Sequence, residues 1–255
     1  MNIITCCKLV PEEQDIVING DRTLGLDKAD TKISLYDLNA VEAAAQLAAA
    51  TAGTSTALSV GGKRLENTKA RKDILSRGPD DLSLVIDAAL EGALPHETAS
   101  AIVAAATQKG YDLILFGEGS SDLYAQQVSM LVGAMLDVNV INAVSKITPG
   151  DGVVTVERTL ENEVEVLEVA LPAVLAVTTD INVPKIPSMK AILAAGKKPV
   201  SIQSLQDLGL SGNEAPTTLV SVLAPEQTDR KKIILESDSD DNVAALVENL
   251  RKALN

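Results

Sequence analysis

Aromatic side chains are nearly missing from this 255-residue chain, which has no Trp, one Phe and three Tyr. Hydrophobic residues still reach 46%, so the core has to be built from Ala, Val, Leu and Ile. Positive charge is also short: 22 Lys and Arg stand against 35 Asp and Glu, a net charge of -13. A surface of that sign repels phosphate backbones and anionic lipid, which argues against nucleic-acid and anionic-membrane binding. No stretch offers the roughly 18 uninterrupted apolar residues of a membrane helix. Met1 leads directly into a strand without a basic and then apolar leader, so the chain is expected to be cytoplasmic, neither secreted nor membrane-spanning. The two cysteines, Cys6 and Cys7, are adjacent. On a strand, neighbours point to opposite faces, so they are not expected to pair with each other and fit a reduced compartment. Their spacing suits neither a zinc nor a redox pair. The single histidine, His96, follows Pro95 at a helix start and has no second His to share a metal, so it reads as a cap-region residue and no metal site is expected. No carboxylate pair stands out with the spacing of an acid–base couple.

What is there alternates. Ile3 to Cys7 predicts a strand, Tyr36 to Ala50 an Ala-rich helix, Thr56 to Val60 a strand, and Leu65 to Ser76 a helix after the Gly61-Gly62 turn. Leu82 to Ile86, Glu97 to Gln108 (stopped by Gly110) and Asp112 to Phe116 continue as strand, helix, strand, with a further helix from Asp122 to Met135. Strands alternating with helices of this length imply right-handed crossovers and a mostly parallel, doubly wound α/β sheet covered on both faces. Ligands in such sheets sit outside the carboxyl ends of the strands, which points to the turns after Cys7, Val60 and Phe116.

The turn after Phe116 carries the strongest local signal. Gly117-Glu118-Gly119-Ser120-Ser121-Asp122 lies between an aliphatic strand and a helical pattern. That arrangement binds phosphate, because freed backbone N–H groups and the positive end of the helix dipole favour an anion. Gly, Ser and Asp are also ordinary helix-start residues, and a capped helix without a ligand is the alternative.

After Pro149-Gly150-Asp151-Gly152 the pattern changes. Val153 to Thr159 and Val164 to Leu171 alternate apolar and polar residues around Glu161-Asn162, predicting an antiparallel hairpin at about 153–171. Pro172 to Thr178 predicts a buried strand, and a Pro- and Lys-bearing loop occupies about 182–198. These elements define a unit over 1–199. The segment Leu205 to Ala224 is broken by Gly, Ser, Pro and Thr and has little periodicity. It leads to an amphipathic helix at about Asn242 to Leu254, with Val243, Leu246, Val247 and Leu250 on one face. Residues 200–255 therefore predict an arm and helix that wrap a partner, or else a tail ordered on the protein's own surface.

Val156-Glu157-Arg158, Glu161-Asn162-Glu163, Glu165, Leu167 and Pro172-Ala173-Val174-Leu175-Ala176 resemble the signature segment of the electron-transfer flavoprotein β-subunit family (FixA-like). The likeness runs over essentially the whole chain and departs at Asn162, where the family usually has Gly, Asp or Glu. It implies a β-subunit with an adenine-nucleotide-α-hydrolase-like fold, paired with an electron-transfer flavoprotein α-subunit that holds the redox FAD. It also implies AMP, or a second FAD in electron-bifurcating members, bound by the β-subunit itself. Carried over by position, the nucleotide site comprises Cys6, Ser34, Leu35, Tyr36, Asp37, Val60 and the run Gly117, Glu118, Gly119, Ser120, Ser121, Asp122, Leu123, Tyr124, Ala125, Gln126, Gln127 and Val128. Ser34 stands where many members have Asn, and Leu123-Tyr124 replaces more acidic or Thr-containing residues, which leaves AMP and FAD both open.

The resemblance further implies a docking segment, Lys185, Ile186, Pro187, Met189 and Lys190, with Ile186 as apolar anchor and Lys197 and Lys198 adding charge. Its partners would be an acyl-CoA-type dehydrogenase, a flavoprotein quinone oxidoreductase or a ferredoxin-like protein. An apolar residue held by flanking prolines loses little entropy on docking, and nearby charge raises encounter rates; a helix-start loop with solvated lysines is the alternative. The chain is thus expected to be an electron carrier without catalytic residues of its own. The competing reading is a stand-alone adenine-nucleotide-sensing module of the same fold without a redox role. Ser59-Val60-Gly61-Gly62-Lys63 faintly resembles the loop of ATP-cleaving proteins of that fold but lacks the following Asp-Ser. The basic run Arg71-Lys72 to Arg77 reads as a solvated helix end or a phosphate or partner contact.

Overall fold

The computed structural model describes residues 1–211, 217–226 and 231–254; part of the predicted Leu205–Ala224 connection lies outside the described residues. The chain begins with β1 (Asn2–Cys6) and crosses two short antiparallel pairs, β2 (Leu9–Pro11) with β5 (Thr31–Ile33) and β3 (Val17–Ile18) with β4 (Leu24–Gly25). It continues as α1 (Leu35–Ala50), β6 (Thr54–Gly61), α2 (Thr68–Ser76), β7 (Asp81–Ile86), α3 (Pro95–Lys109), β8 (Leu113–Gly117) and α4 (Val128–Leu136). Then follow β9 (Asn139–Pro149), β10 (Val153–Thr159), β11 (Val164–Ala170), β12 (Ala173–Val177), α5 (Met189–Ala195), β13 (Val200–Gln203) and α6 (Asp240–Leu254).

Nine of these strands form one sheet in the order β11-β10-β9-β12-β8-β1-β6-β7-β13. All neighbours from β9 to β13 pair in parallel, while β10 and β11 form the antiparallel hairpin. The central strands are nearly continuous aliphatic runs because helices cover both of their faces. Ile4, Cys6, Ile114, Phe116 and Val174 point toward α3 and α4. Ile3, Leu113, Leu115 and Leu175 point toward α1, whose Ala40, Ala43 and Ala44 are small enough to let the helix lie close to the sheet. Cys6 and Cys7 belong to opposite faces, as expected from adjacent strand positions, and both are buried free thiols.

Three differences from the sequence reading have physical causes. The helix expected from Asp122 begins only at Val128, because Tyr124 (φ 46°) and Gln126 (φ 55°) take left-handed conformations that a helix cannot continue through. The strand β9 was not foreseen: Asp137 caps α4 in the left-handed region, and Ala143 (φ 56°) breaks the alternation along the strand that follows. Finally, β13 pairs with β7 and Leu205 is buried against α3 and β8 residues, so the α/β unit runs past residue 199. Among the described residues no helix is long and apolar enough to cross a membrane.

Candidate functional site

The strand order reverses at β1. The chain leaving β1 builds outward through β6, β7 and β13, while β8, which follows α3, lies on the other side. The crevice at the carboxyl ends of β1 and β8 is where an open α/β sheet accommodates a ligand. One carboxylate ties this point together. Asp37, in the first turn of α1, accepts the Lys8 N–H through Oδ2 at 2.7 Å and the Gly117 N–H through Oδ1 at 3.3 Å. It thereby joins the residues that follow β1 and end β8 to the start of one helix. Burial pushes its acid up to about 7, against the opposing pull of those two N–H groups. Gly117 is required for the close approach: a Cβ there would lie 2.6 Å from the Tyr36 carbonyl carbon and 2.8 Å from Asp37 Oδ1.

The Gly/Ser loop folds over this point. Ser34 Oγ accepts the Ser121 N–H at 3.3 Å, and Ser34 is fully buried at the residue preceding α1. Lys8 Nζ donates to Ser120 Oγ at 3.5 Å and pairs with Asp122 at 2.8 Å. Burial would raise the Asp122 acid, but the Lys8 and Ser120 hydrogen bonds outweigh it and hold it below its ordinary value. Glu118 behaves oppositely: burial raises it, a hydrogen bond with Tyr124 lowers it, and the nearby Asp180 raises it further, with a net upward shift. The rings of Tyr36 and Tyr124 meet at 5.0 Å with a 46° tilt, and a Cβ on Gly119 would sit 2.5 Å from the Tyr124 ring.

Of the expected site residues, the structure gathers Ser34, Tyr36, Asp37, Gly117, Glu118, Gly119, Ser120, Ser121, Asp122 and Tyr124 into this cluster. Leu35 and Leu123 lie exposed on its rim. Ala125, Gln126 and Gln127 are exposed along the path to α4. Cys6, Val60 and Val128 turn their side chains into the α3/α4 core, where burial pushes the Cys6 thiol up; only their backbone faces the strand ends. Sequence reasoning missed Lys8. Its signal was its place, the first charged residue after the buried run of β1 at the expected ligand end. Ser59 was missed as well, and its Oγ donates to the Cys7 carbonyl at 2.6 Å, fixing the turn that presents Lys8.

The segment expected to dock partners lies apart from this cluster, in the loop between β12 and α5. Ile186 is 93% exposed, beside exposed Val183 and Met189, and Ser188 Oγ caps α5 by accepting the Ala191 N–H at 3.2 Å. Its lysines are not equivalent. Lys185 pairs with Glu42 of α1 at 2.8 Å, and Lys198 turns inward to donate to the Leu75 carbonyl at 2.9 Å, whereas Lys190 and Lys197 are exposed. Most of the basic run on α2 is also absorbed internally: Arg71 Nε donates to the Leu65 carbonyl at 2.6 Å, and Arg77 pairs with Asp73 at 3.2 Å, while Lys72 is exposed.

A family model described as an electron transfer flavoprotein domain matches residues 23–208, from β4 through the last turn after β13. That span is well over half of the chain and contains α1, the Gly117 loop, the hairpin and the Ile186 loop. The chain belongs to the electron transfer flavoprotein domain family, whose members are electron carriers associated with flavin.

Proposed function

We propose that this chain is the β-type subunit of a heterodimeric electron-transfer flavoprotein. It binds an adenine nucleotide, AMP or a second FAD, in the crevice between β1 and β8. The redox-active FAD is held mainly by an α-type partner. The observation that carries this reading is the convergence of Lys8, Ser34, Asp37 and the Gly117–Tyr124 loop at the sheet's switch point. That donor set suits such a ligand: tyrosine faces take a ring, hydroxyls and acidic side chains take ribose, and an ammonium takes phosphate. FAD, when bound, supplies the redox chemistry, and the chain supplies position and electrostatics.

The exposed Ile186 is the anchor for an acyl-CoA-type dehydrogenase, a flavoprotein quinone oxidoreductase or a ferredoxin-like protein, with Met189 beside it and Lys190 steering. The apolar face of α6, where Val243, Leu246 and Leu250 are each about half exposed, packs on the α-type subunit as the end of a wrapping arm. A nucleotide-sensing module would need neither surface.

The test is to denature the purified chain, alone and co-expressed with a candidate α-type subunit, and identify the released nucleotides by mass spectrometry. One FAD with AMP per heterodimer is the expected result for a conventional carrier, and two FAD would make it a bifurcating one. A chain that binds AMP or ATP but never an α-type subunit or flavin would replace this proposal with the sensor.

A further inference from the structure

The helix α1 contains two polar residues in a setting that should not tolerate them. Asn39 and Glu42 are 5% and 4% exposed on a helix otherwise rich in Ala and Leu. Asn is a poor residue for a helix interior, and a buried carboxylate is costly unless paired. Neither residue contacts the crevice between β1 and β8 through the hydrogen bonds that define it. Both face the chain that leaves β12 instead. Asn39 Nδ2 donates to the carbonyls of Thr179 at 3.0 Å and Asn182 at 2.8 Å, and Asn182 Nδ2 returns a bond to the Asn39 carbonyl at 3.0 Å. One turn further on, Glu42 accepts from Lys185 Nζ at 2.8 Å and the Lys185 N–H at 3.4 Å, and is itself held by Gln46 Nε2 at 2.7 Å. The far end of the segment is fixed independently, by Lys198 on the Leu75 carbonyl. Between these two anchorages the apex is bare, with Ile186 93% and Met189 71% exposed.

We infer that Asn39 and Glu42 are positioning residues for partner docking: they clamp the root of the 179–185 loop to α1, so that Ile186 is presented in a fixed place relative to the crevice held by Asp37. A loop whose apex makes few contacts keeps a single conformation only if its root is tied down, and a pre-ordered apex binds without the ordering penalty a free loop would suffer. Because α1 carries Asp37 at its first turn and the clamp at its second and third, the crevice and the docking apex share one rigid element. The clamp thus acts through Ile186 and touches neither nucleotide nor partner. It rests on the docking role of Ile186 proposed above, and its test separates the two.

The experiment uses Asn39→Ala and, on the loop side where folding is less at risk, Asn182→Ala, in the assembled heterodimer. Limited trypsin digestion reads the loop directly, through cleavage after Lys185. Loss of the Asn39 side-chain bonds should raise that rate about 10- to 30-fold, while cleavage after Lys109, at the end of α3, is unchanged. Electron delivery from a reduced acyl-CoA dehydrogenase should show a raised apparent KM with kcat and flavin content kept. Glu42→Gln should move both readouts the same way, by less. Unchanged cleavage after Lys185 in Asn39→Ala and Asn182→Ala overturns the clamp, and so does a rise at Lys109 equal to that at Lys185, since it would mean general loosening. Faster cleavage after Lys185 with an unchanged KM refutes the clamp's role in docking. If Ile186→Ala also leaves electron delivery unaltered, the docking role itself fails, while the proteolysis still decides whether the loop root is clamped.

Discussion

Replacing Asp37 by Asn should change how stability depends on pH more than it changes stability itself. In the folded chain the Asp37 acid lies at about 7, against an ordinary value of 3.8, chiefly because it is buried. The folded state therefore holds this proton more tightly than the unfolded chain. A raised acid of this kind contributes stability that is complete below the unfolded value and is lost as pH rises through the folded one. Between pH 5 and pH 8 the loss spans about two units at 1.36 kcal/mol each, or close to 3 kcal/mol. Asn does not titrate, so that decline disappears from the variant. Asn also places an NH2 group against either the Lys8 or the Gly117 N–H, sacrificing one of the two bonds Asp37 accepts, at about 1 to 3 kcal/mol. The variant should thus be less stable than the parent by that amount at pH 5, and equal to it or more stable at pH 8. Urea unfolding followed by far-UV circular dichroism suits a chain without Trp, and subtracting variant from parent removes the titration of the other acids. A difference that grows from pH 5 to pH 8 would refute the reasoning, because it would mean that the two N–H groups hold Asp37 as an anion more strongly than burial opposes it.

Gly117→Ala should cost about 1 to 3 kcal/mol, since the added carbon meets the backbone of Tyr36 rather than a movable side chain; an unchanged urea midpoint would mean that α1 can recede from β8 freely. Lys8→Met should weaken AMP binding about 10- to 100-fold in titration calorimetry, and equal affinity would place the phosphate away from Lys8. Leu246→Asp on α6 should prevent assembly with an α-type subunit in size-exclusion chromatography while leaving the thermal midpoint of the isolated chain unchanged, because that side chain is 47% exposed there. A heterodimer that forms as before would return α6 to the role of a surface tail.

The parts of the fold that were legible in the sequence are those whose periodicity reports burial directly. The aliphatic runs of β1, β6, β7, β8 and β12 are buried on both faces and read as strands without ambiguity, and β10 with β11 alternates as a half-covered hairpin does. What was hidden depended on contacts far along the chain. The four-residue alternation Val200, Ser201, Ile202 and Gln203 is too short to stand out beside the Gly/Ser/Pro-broken stretch that follows it, and it becomes β13 because β7 offers it an edge. β9 is masked by the left-handed Ala143, which throws neighbouring side chains out of alternation. The start of α4 was misplaced because Ser120 to Gln127 carries no strong helix breaker. The loop conformation there is imposed from outside, by Lys8 on Asp122, Ser34 on the Ser121 N–H and Tyr36 against Tyr124.

The same distinction explains the site. Gly117 to Tyr124 was readable because a glycine-rich turn after a buried strand is a local pattern, yet its physical meaning shifts once α4 is seen to start at Val128. The loop lacks a helix dipole immediately behind it, so the favourable field for an anion that a short strand–turn–helix would supply falls away over the first turn's distance. In its place stand a side-chain ammonium from Lys8 and the first turn of α1, whose N-terminal end points at the same crevice with Asp37 seated in it. Those two contributions come from opposite ends of a 29-residue separation, which no local pattern displays. An acid at about 7 in that turn means that near neutrality the field of α1 is only partly cancelled by its own carboxylate. The sheet's switch point is therefore most receptive to an anion when Asp37 is protonated, and the proposed binding of AMP should tighten as pH falls from 8 to 7, above the range near about 6 where a phosphate monoester takes up its own second proton. A titration showing affinity independent of pH for the parent, and the same for Asp37→Asn, would separate the helix end from nucleotide binding and leave Lys8 as the principal electrostatic contact.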